Sequence, residues 1–487
     1  MSLLNIPYPK TIWKYFDEIC QIPRLSKNEF KIRKYLIDFA LNQHLEFRED
    51  EVGNILIIRP ASSGFENKKT VVLQSHMDMV GEKNSDHPHN WETDPIIPVI
   101  TDGWVCSSGT TLGADDGIGI AAQMAVLTDS SLKTGRIECL FTVDEESGMT
   151  GAINLKPDFI TGNILLNLDS EDEGILYIGC AGGMDTLGMI HYTATVPEKD
   201  SCAYELFITG LRGGHSGDEI HKGLGNSVKL MNRLLILLTE KYNISISRFD
   251  AGNLRNAIPR EAFATITLKK WHTASIEKTI KEYNFIINNE LSKLESDLKV
   301  GFLPVQIPET VMASEDQKKF LQAIDDCHHG VISWSKEMED LVETSTNLAS
   351  VKFSGKELIT IATTQRSSID TAKAEAGEMV AKSLKIAHAD ITHSQGYPGW
   401  KPNLSSEILN ITRKSYLRLF GQDPKVRAIH AGLECGLIYE KKRNIDMISF
   451  GPSIKGAHTP EEKLSIESTK RFWNLLIDVI KNVPEKS

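Results

Sequence analysis

Five short stretches of this chain carry residues that could do chemistry together. Val71-Val72-Leu73-Gln74-Ser75 runs into His76-Met77-Asp78, and an apolar run ending at Val143 leads into Asp144-Glu145-Glu146. A third run, 164–168, leads into Asp169, and a fourth, 447–450, is followed by Gly451-Pro452 and then His458-Thr459-Pro460. Gly113-Ala114-Asp115-Asp116-Gly117 stands just ahead of a stretch rich in Ala and Ile. Together these offer two imidazoles and three to five carboxylates, with no thiolate. Nitrogen and oxygen donors of this kind suit zinc, manganese or cobalt and argue against a structural zinc of the cysteine type. Two ions need about five or six protein ligands if one carboxylate bridges them, and such a pair, ~3.5–4 Å apart, can clamp the attacking and leaving oxygens of a hydrolysis. The set leaves a carboxylate to spare. Glu145 and Glu146 are adjacent, so one can bind metal while its neighbour handles the proton.

Each stretch alone has a plainer reading. A lone His-x-Asp is more often a surface pair, and acids after a strand are usually solvated loop or cap residues. That reading weakens when all five lie after apolar runs or against a buried helix. The runs at 54–58, 71–74, 137–143 and 164–168 are uniformly apolar, which suits strands of a sheet covered on both faces, hence an α/β domain. Apolar residues recur at helical intervals over 11–22 and 27–41, and 119–127 reads as a buried helix. Residues two apart on a strand point the same way, so His76 and Asp78 share a face. Ligands of open α/β sheets bind beyond the carboxyl ends of the strands, the edge at which these clusters are aimed.

From Tyr204 the texture changes. A strand (205–209) leads into a Gly-rich turn, a helix (226–242), two strands (245–249 and 262–269) and an amphipathic helix from 275 to about 298. From Pro304 the plan repeats, with a strand near Val305, a helix (316–327), a hairpin turning at Ser354-Gly355-Lys356, a strand (358–365) and a helix (369–386). Beyond the turn-rich Gln395-Gly396-Tyr397-Pro398-Gly399 the α/β texture returns, with a helix (405–420), a strand (447–450) and a last helix (466–480). The expected architecture is α/β. A catalytic domain formed by 1–190 and 397–487 has a mixed, largely parallel sheet covered by helices on both faces. An α+β lid domain of two tandem units, 191–396, is inserted in it.

Composition bounds the function. A chain of 487 residues exceeds one compact core. With 54 basic against 65 acidic residues its net charge is −11, which disfavours nucleic acid. No apolar stretch approaches a membrane span, so no membrane partner is expected. The 7 cysteines are scattered without a Cys-x-x-Cys pair and read as reduced thiols of a cytoplasmic protein. The glycines of 113–119 fit neither a dinucleotide fingerprint nor a phosphate loop. His221, His328, His329, His388 and His393 read as ordinary surface residues.

Ser75-His76-Met77-Asp78, Gly113-Ala114-Asp115-Asp116-Gly117, Asp144-Glu145-Glu146-Ser147-Gly148, Asn167-Leu168-Asp169 and Ala457-His458-Thr459-Pro460 span almost the whole chain. In these segments it resembles the di-zinc aminoacylase, carboxypeptidase and dipeptidase family of metallopeptidases. The resemblance implies two divalent ions, zinc first with cobalt or manganese as alternatives. Asp115 would bridge them, with His76 and Asp169 completing one site and Glu146 and His458 the other. Glu145 would be the general base, Asp78 would hold the ring of His76, and the Asp115–Asp116 peptide would be cis. In the lid, Gly213-Gly214-His215-Ser216-Gly217 matches the family's histidine motif, so His215 would polarise the scissile carbonyl or steady its oxyanion. Asn256 and, within Ala431-Gly432-Leu433-Glu434-Cys435-Gly436, Glu434 would touch substrate. Arg366 falls where relatives place an arginine for the substrate's terminal carboxylate. The matching strand of the first lid unit ends in Lys269-Lys270, which leaves the clamp to the second unit. A two-unit lid and a carboxylate clamp imply hydrolysis of unblocked dipeptides, Xaa-His types included, by a monomer or homodimer. An aminoacylase or carboxypeptidase acting on N-blocked amino acids is the alternative among hydrolases. A non-catalytic peptide- or metal-binding protein is the alternative outside them.

Overall fold

The uniformly apolar runs become strands without a solvent face. Every residue of Val71–His76 and of Ile137–Thr142 is buried, and so is every residue of Ile164–Asn167. They lie in an eight-stranded sheet whose order is Glu46–Glu49, Ile55–Arg59, Ile137–Thr142, Val71–His76, Ile164–Asn167, Asp446–Ser449, Ile175–Cys180, Lys425–Ile429. Its middle four strands run parallel, and antiparallel strands flank them. Burial on both sides requires helices on both faces. Helix Lys10–Cys20 packs on helix Ala114–Thr128, which is itself buried from Asp116 to Leu127. Parallel strands end on the same edge: His76 pairs with Thr142, and Gln74 with Asn167, which pairs in turn with Ser449. The segments that leave these strands therefore emerge side by side.

This computed structural model describes residues 3–355 and 357–486, so Lys356 of the expected hairpin turn lies outside the described residues. The chain divides into two units. One comprises Met1–Cys180, Trp400–Ala428 and Leu433–Ser487, and the other Ala181–Gly399 and Ile429–Gly432. No helix among the described residues is long and apolar enough to cross a membrane.

The second unit is built on one antiparallel nine-stranded sheet. Its order is Lys299–Val305, Ser201–Thr209, Ala262–Lys269, Ser245–Ala251, Val342–Phe353, Leu358–Ser367, Gly182–His191, Asp390–His393, with Gly330–Trp334 paired to Val342–Phe353. The two α+β halves thus share a single sheet and a common core that includes Leu206, Leu234, Phe249, Phe320 and Ile361. Several sequence expectations change. The strand near Val305 closes the first half, in register with Ser201–Thr209, and does not open the second. The second half takes its corresponding strand from Gly182–His191, upstream of both halves, which pairs with Leu358–Ser367 and Asp390–His393. The amphipathic helix expected to reach about 298 ends at Glu290. Asn226, read as the first residue of a helix, is its cap, and its side chain accepts from Val228 and Lys229 amides at 2.9 and 3.2 Å.

Candidate functional site

The first unit gathers its acids and imidazoles at the carboxyl edge of the parallel strands. His76 is the last residue of its strand, and its Nδ1 faces the Asp78 carbonyl oxygen at 3.1 Å. A carbonyl can only accept, so Nδ1 carries the proton and Nε2 is left as a donor of electrons. That Nε2 lies 3.1 Å from Asp115 Oδ1 and 3.3 Å from Asp169 Oδ1. On the other side His458 Nε2 lies 3.3 Å from Asp115 Oδ2 and 3.0 Å from Glu146 Oε2. Asp115 therefore turns one oxygen to each histidine. Two ligand groups share it, His76–Asp115–Asp169 and Asp115–Glu146–His458, and Glu145 joins His76 and Glu146 in a third. The Asp115–Asp116 peptide is cis.

The electrostatics of this cluster call for added positive charge. Burial pushes Asp169 up to about 7, with Asp115 adding to the rise. Hydrogen bonds to Asp115 and Glu146 push His458 up to about 11, so that without cations this imidazole takes up a proton to balance the acids. Glu146 Oε1 is buried with no hydrogen-bond partner among the described residues. A buried oxygen without a donor is costly unless something cationic meets it. The donor set is nitrogen and oxygen only and is arranged around one shared carboxylate. These residues fit a pair of divalent ions.

Glu145 and Glu146 open a short helix, Glu145–Gly148, after Asp144 turns the chain with a positive φ of 55°. Burial raises the Glu145 carboxyl well above the usual range, and Asp169, Glu434 and Glu146 add to it against the pull of His76. A carboxylate made more basic in this way is suited to accept a proton. Asp78 sits beneath. Its Oδ1 accepts from the Glu145 amide at 3.0 Å and its Oδ2 from the Glu146 amide at 3.1 Å and Ser26 Oγ at 2.8 Å. Burial opposes its ionisation, but His76, Ser26 and Glu145 hold it down to about 2. The carboxylate lies 3.5 Å from His76 Nδ1, farther than Asp78's own carbonyl oxygen. Asp78 thus steadies His76 mainly through its backbone and spends its side chain on the amides of the Glu145–Glu146 pair. Glu434 is fully buried. Its Oε2 accepts from Gln74 Nε2 and Thr142 Oγ1, both at 2.6 Å, while Oε1 has no hydrogen-bond partner among the described residues. Burial pushes it up to about 8.

The other expected residues belong to the second unit. Gly214–His215 pairs with Ala257–Ile258, and the Ser216 amide donates to the Asn256 carbonyl oxygen at 2.8 Å, which makes His215 and Asn256 neighbours. Asn256 is exposed. The amides of Gly217 and Asp218 point at His215 Nδ1 from 3.3 and 3.2 Å, so the proton of the neutral ring sits on Nε2. Burial, then the nearby Arg366 charge, lowers the pKa of His215 and keeps it neutral. Arg366 is 6% exposed, donates from Nη1 to Tyr397 OH at 2.9 Å and from Nε to Ser216 Oγ at 3.4 Å, and forms no ion pair among the described residues.

Three contributors have no signature in the sequence. Arg24 is buried and donates to the carbonyl oxygens of Met77 and Asp78 at 2.9 and 2.6 Å and of Gly113 at 2.5 Å. Glu462 accepts from backbone amides around Asp115. His430 is buried beside Ser345, 2.8 Å from Nε2 to Oγ, and burial and Arg366 push it down to about 3. Each is a single polar residue outside any chemical motif, and only its burial distinguishes it. His329, read as a surface residue, is half-buried and pushed down to about 3 by burial.

Residues 72–482 match the sequence profile of peptidase family M20/M25/M40. The chain is 40% identical over 486 residues to the cytosol non-specific dipeptidase of Escherichia coli (strain K12), covering 100% of both chains. Its structure is similar to the crystal structure of aminoacylhistidine dipeptidase from Vibrio alginolyticus, with a TM-score of 0.91 and 41% identity over 100% of this chain and 99% of that one. Aminopeptidase PepT from Bacillus cereus shares the fold at a TM-score of 0.58 and 18% identity, over 97% of this chain and 98% of that one. With a profile match and a full-length relative of this identity, the chain belongs to peptidase family M20/M25/M40.

Proposed function

We propose that this protein is a cytoplasmic di-metal dipeptidase that hydrolyses unblocked dipeptides, Xaa-His types among them. The observation that carries the reading is Asp115, which offers Oδ1 to His76 and Oδ2 to His458 while Asp169 and Glu146 stand beside those histidines. The substrate class follows the names of the E. coli and V. alginolyticus relatives. The cytoplasmic assignment is supported by the E. coli relative's name and by 7 scattered cysteines that include no Cys-x-x-Cys pair.

His76, Asp115, Asp169, Glu146 and His458 would hold the ions, zinc being the metal that best suits these donors. When bound, the pair supplies Lewis acidity at the reacting carbonyl and water. Glu145 takes a proton from the attacking water on a carboxylate oxygen and returns it to the departing amine. Asp78 holds the Glu145 and Glu146 amides, so the proton acceptor and its metal-binding neighbour keep a fixed spacing. The second unit serves as lid. His215 donates Nε2–H to the scissile carbonyl oxygen as negative charge grows on it. Arg366, a buried guanidinium without an acid partner among the described residues, takes the substrate's terminal carboxylate. The unpartnered oxygen of Glu434 attracts the free α-ammonium, and Asn256 adds a polar contact next to His215.

The test compares one free dipeptide, one Xaa-His dipeptide and one N-acetyl amino acid, each with and without chelator, alongside metal analysis. Chelator-sensitive turnover of the free dipeptides with about two ions per chain is expected. Turnover of the blocked substrate alone would make the protein an aminoacylase or carboxypeptidase. Peptide binding without turnover would leave a binding protein.

A further inference from the structure

The loop that presents Asp115 is held by a carboxylate from the far end of the chain. Glu462 Oε2 accepts from the amides of Leu112 and Gly113 at 2.8 and 3.0 Å, and Oε1 from the amides of Ala114 and Asp115 at 2.7 and 3.3 Å. Four consecutive amides turned onto one carboxylate form an anion nest, a concavity of backbone N–H groups. Gly113 makes this turn with φ +70°, where an added Cβ would meet Arg24 Nη2 and Met79 Sδ, each at 2.8 Å. Arg24 holds the same loop by the Gly113 carbonyl oxygen and the His76–Asp78 segment by the carbonyls of Met77 and Asp78. Glu462 is 2% exposed, whereas its neighbour Glu461 is exposed. Glu462 also closes the turn that begins at His458: Thr459 bonds back to Gly456, and the Glu462 amide to the Thr459 carbonyl oxygen at 3.0 Å.

We propose that Glu462 is a positioning residue for the metal pair, which locks the Leu112–Asp115 backbone to the His458 turn so that Asp115 and His458 reach the ions at a set distance. This rests on the two-metal reading above. His458 and Asp115 are 343 residues apart in sequence, and besides the contact of their own side chains the carboxylate of Glu462 ties the two loops through the backbone. The role requires both oxygens. In Glu462→Gln the amide nitrogen must face two N–H donors whichever way the group is turned, so one half of the nest is lost and the loop must shift. Glu462→Asp keeps the charge but draws the carboxylate back by one methylene, too short to serve all the amides.

Chelator-stripped protein is titrated with Co2+ and followed by the visible absorption of the bound ion. Loss of a residue that orients ligands typically weakens metal binding about 10–100-fold. Glu462→Gln is expected to weaken Co2+ binding to this extent at both steps and to alter the band shape, with Glu462→Asp weakened less and Glu461→Gln like wild type. On the reloaded enzyme kcat should fall with little change in KM, because the reacting groups move while substrate recognition stays. Wild-type Co2+ affinity and spectrum in Glu462→Gln would overturn the proposal. Should that variant fail to fold, Glu462→Asp decides, and unchanged Co2+ binding there overturns it equally. A wild-type protein that binds no Co2+ would remove the metal reading itself, a result distinct from either.

Discussion

Replacing Arg366 by Met keeps the length and apolar stem of a buried side chain and removes its guanidinium. Nε and Nη1 each give an N–H to Ser216 and Tyr397, which leaves the remaining N–H groups of the fork for a planar anion. A charge-assisted hydrogen bond contributes about 1.5–3 kcal/mol and a neutral one about 0.5–1.5. A substrate with a free carboxylate should thus lose about 2–4 kcal/mol more than the same peptide ending in an amide. At 1.36 kcal/mol per decade this is roughly a 30- to 1000-fold difference in kcat/KM. The assay measures kcat and KM for a dipeptide and its C-terminal amide on wild type, Arg366→Met and Arg366→Lys. The loss should lie in KM, since the carboxylate contact is present before and during reaction. Lysine should fall between, keeping the charge without the fork. Met also gives up the bonds to Ser216 and Tyr397, so stability should fall by about 0.5–1.5 kcal/mol for each, a loss that does not depend on which peptide is bound. Equal losses for both peptides, or a destabilised variant with unchanged KM, would refute the argument.

Glu145→Gln should lower kcat by about 10²–10⁴-fold while metal content stays at the wild-type level, as measured by single-turnover kinetics and elemental analysis. His458→Ala should shed about one ion per chain and keep the other at His76, Asp115 and Asp169, read by the same analysis. Stripping the metals should lower the unfolding free energy, read from denaturant titration, by about 4 kcal/mol per ion where free metal had stood near 1,000 times Kd. His430 has an ordinary value of 6.5 and a folded value pushed down to about 3 by burial and then Arg366. Between these values the unfolded chain binds a proton that the folded chain refuses, so stability falls on acidification by about 1.4 kcal/mol per pH unit below 6.5. His430→Gln should reduce the slope of unfolding free energy against pH by that amount, and an unchanged slope would show that His430 is not held neutral.

The second unit shows where reading along the chain stops short. Its strands of alternating or β-branched residues, such as Ala262–Lys269, stand out locally. Gly182–His191 does not, because glycines carry no side-chain pattern, and it becomes a strand only when Leu358–Ser367 and Asp390–His393 pair on either side of it. The helix expected to run on to about 298 stops at Glu290 because the following residues turn back to pair with Ser201–Thr209, a long-range demand that local periodicity does not contain.

The amino-acid order determined the chemistry: which imidazoles and carboxylates exist, that each follows an apolar strand or precedes a buried helix, and hence that they collect at one sheet edge. This is legible because parallel strands with apolar faces can be covered in few ways, and their ends then coincide. Tertiary structure alone decided how the groups are used. It decided that Asp115 gives one oxygen to each histidine, that the Asp78 carboxylate serves the Glu145 and Glu146 amides, and that Glu462 rather than Glu461 grips the loop of Asp115. The reason is physical. Sequence specifies a side chain's type, but its hydrogen-bond partner is whichever group the folded backbone brings within about 3 Å.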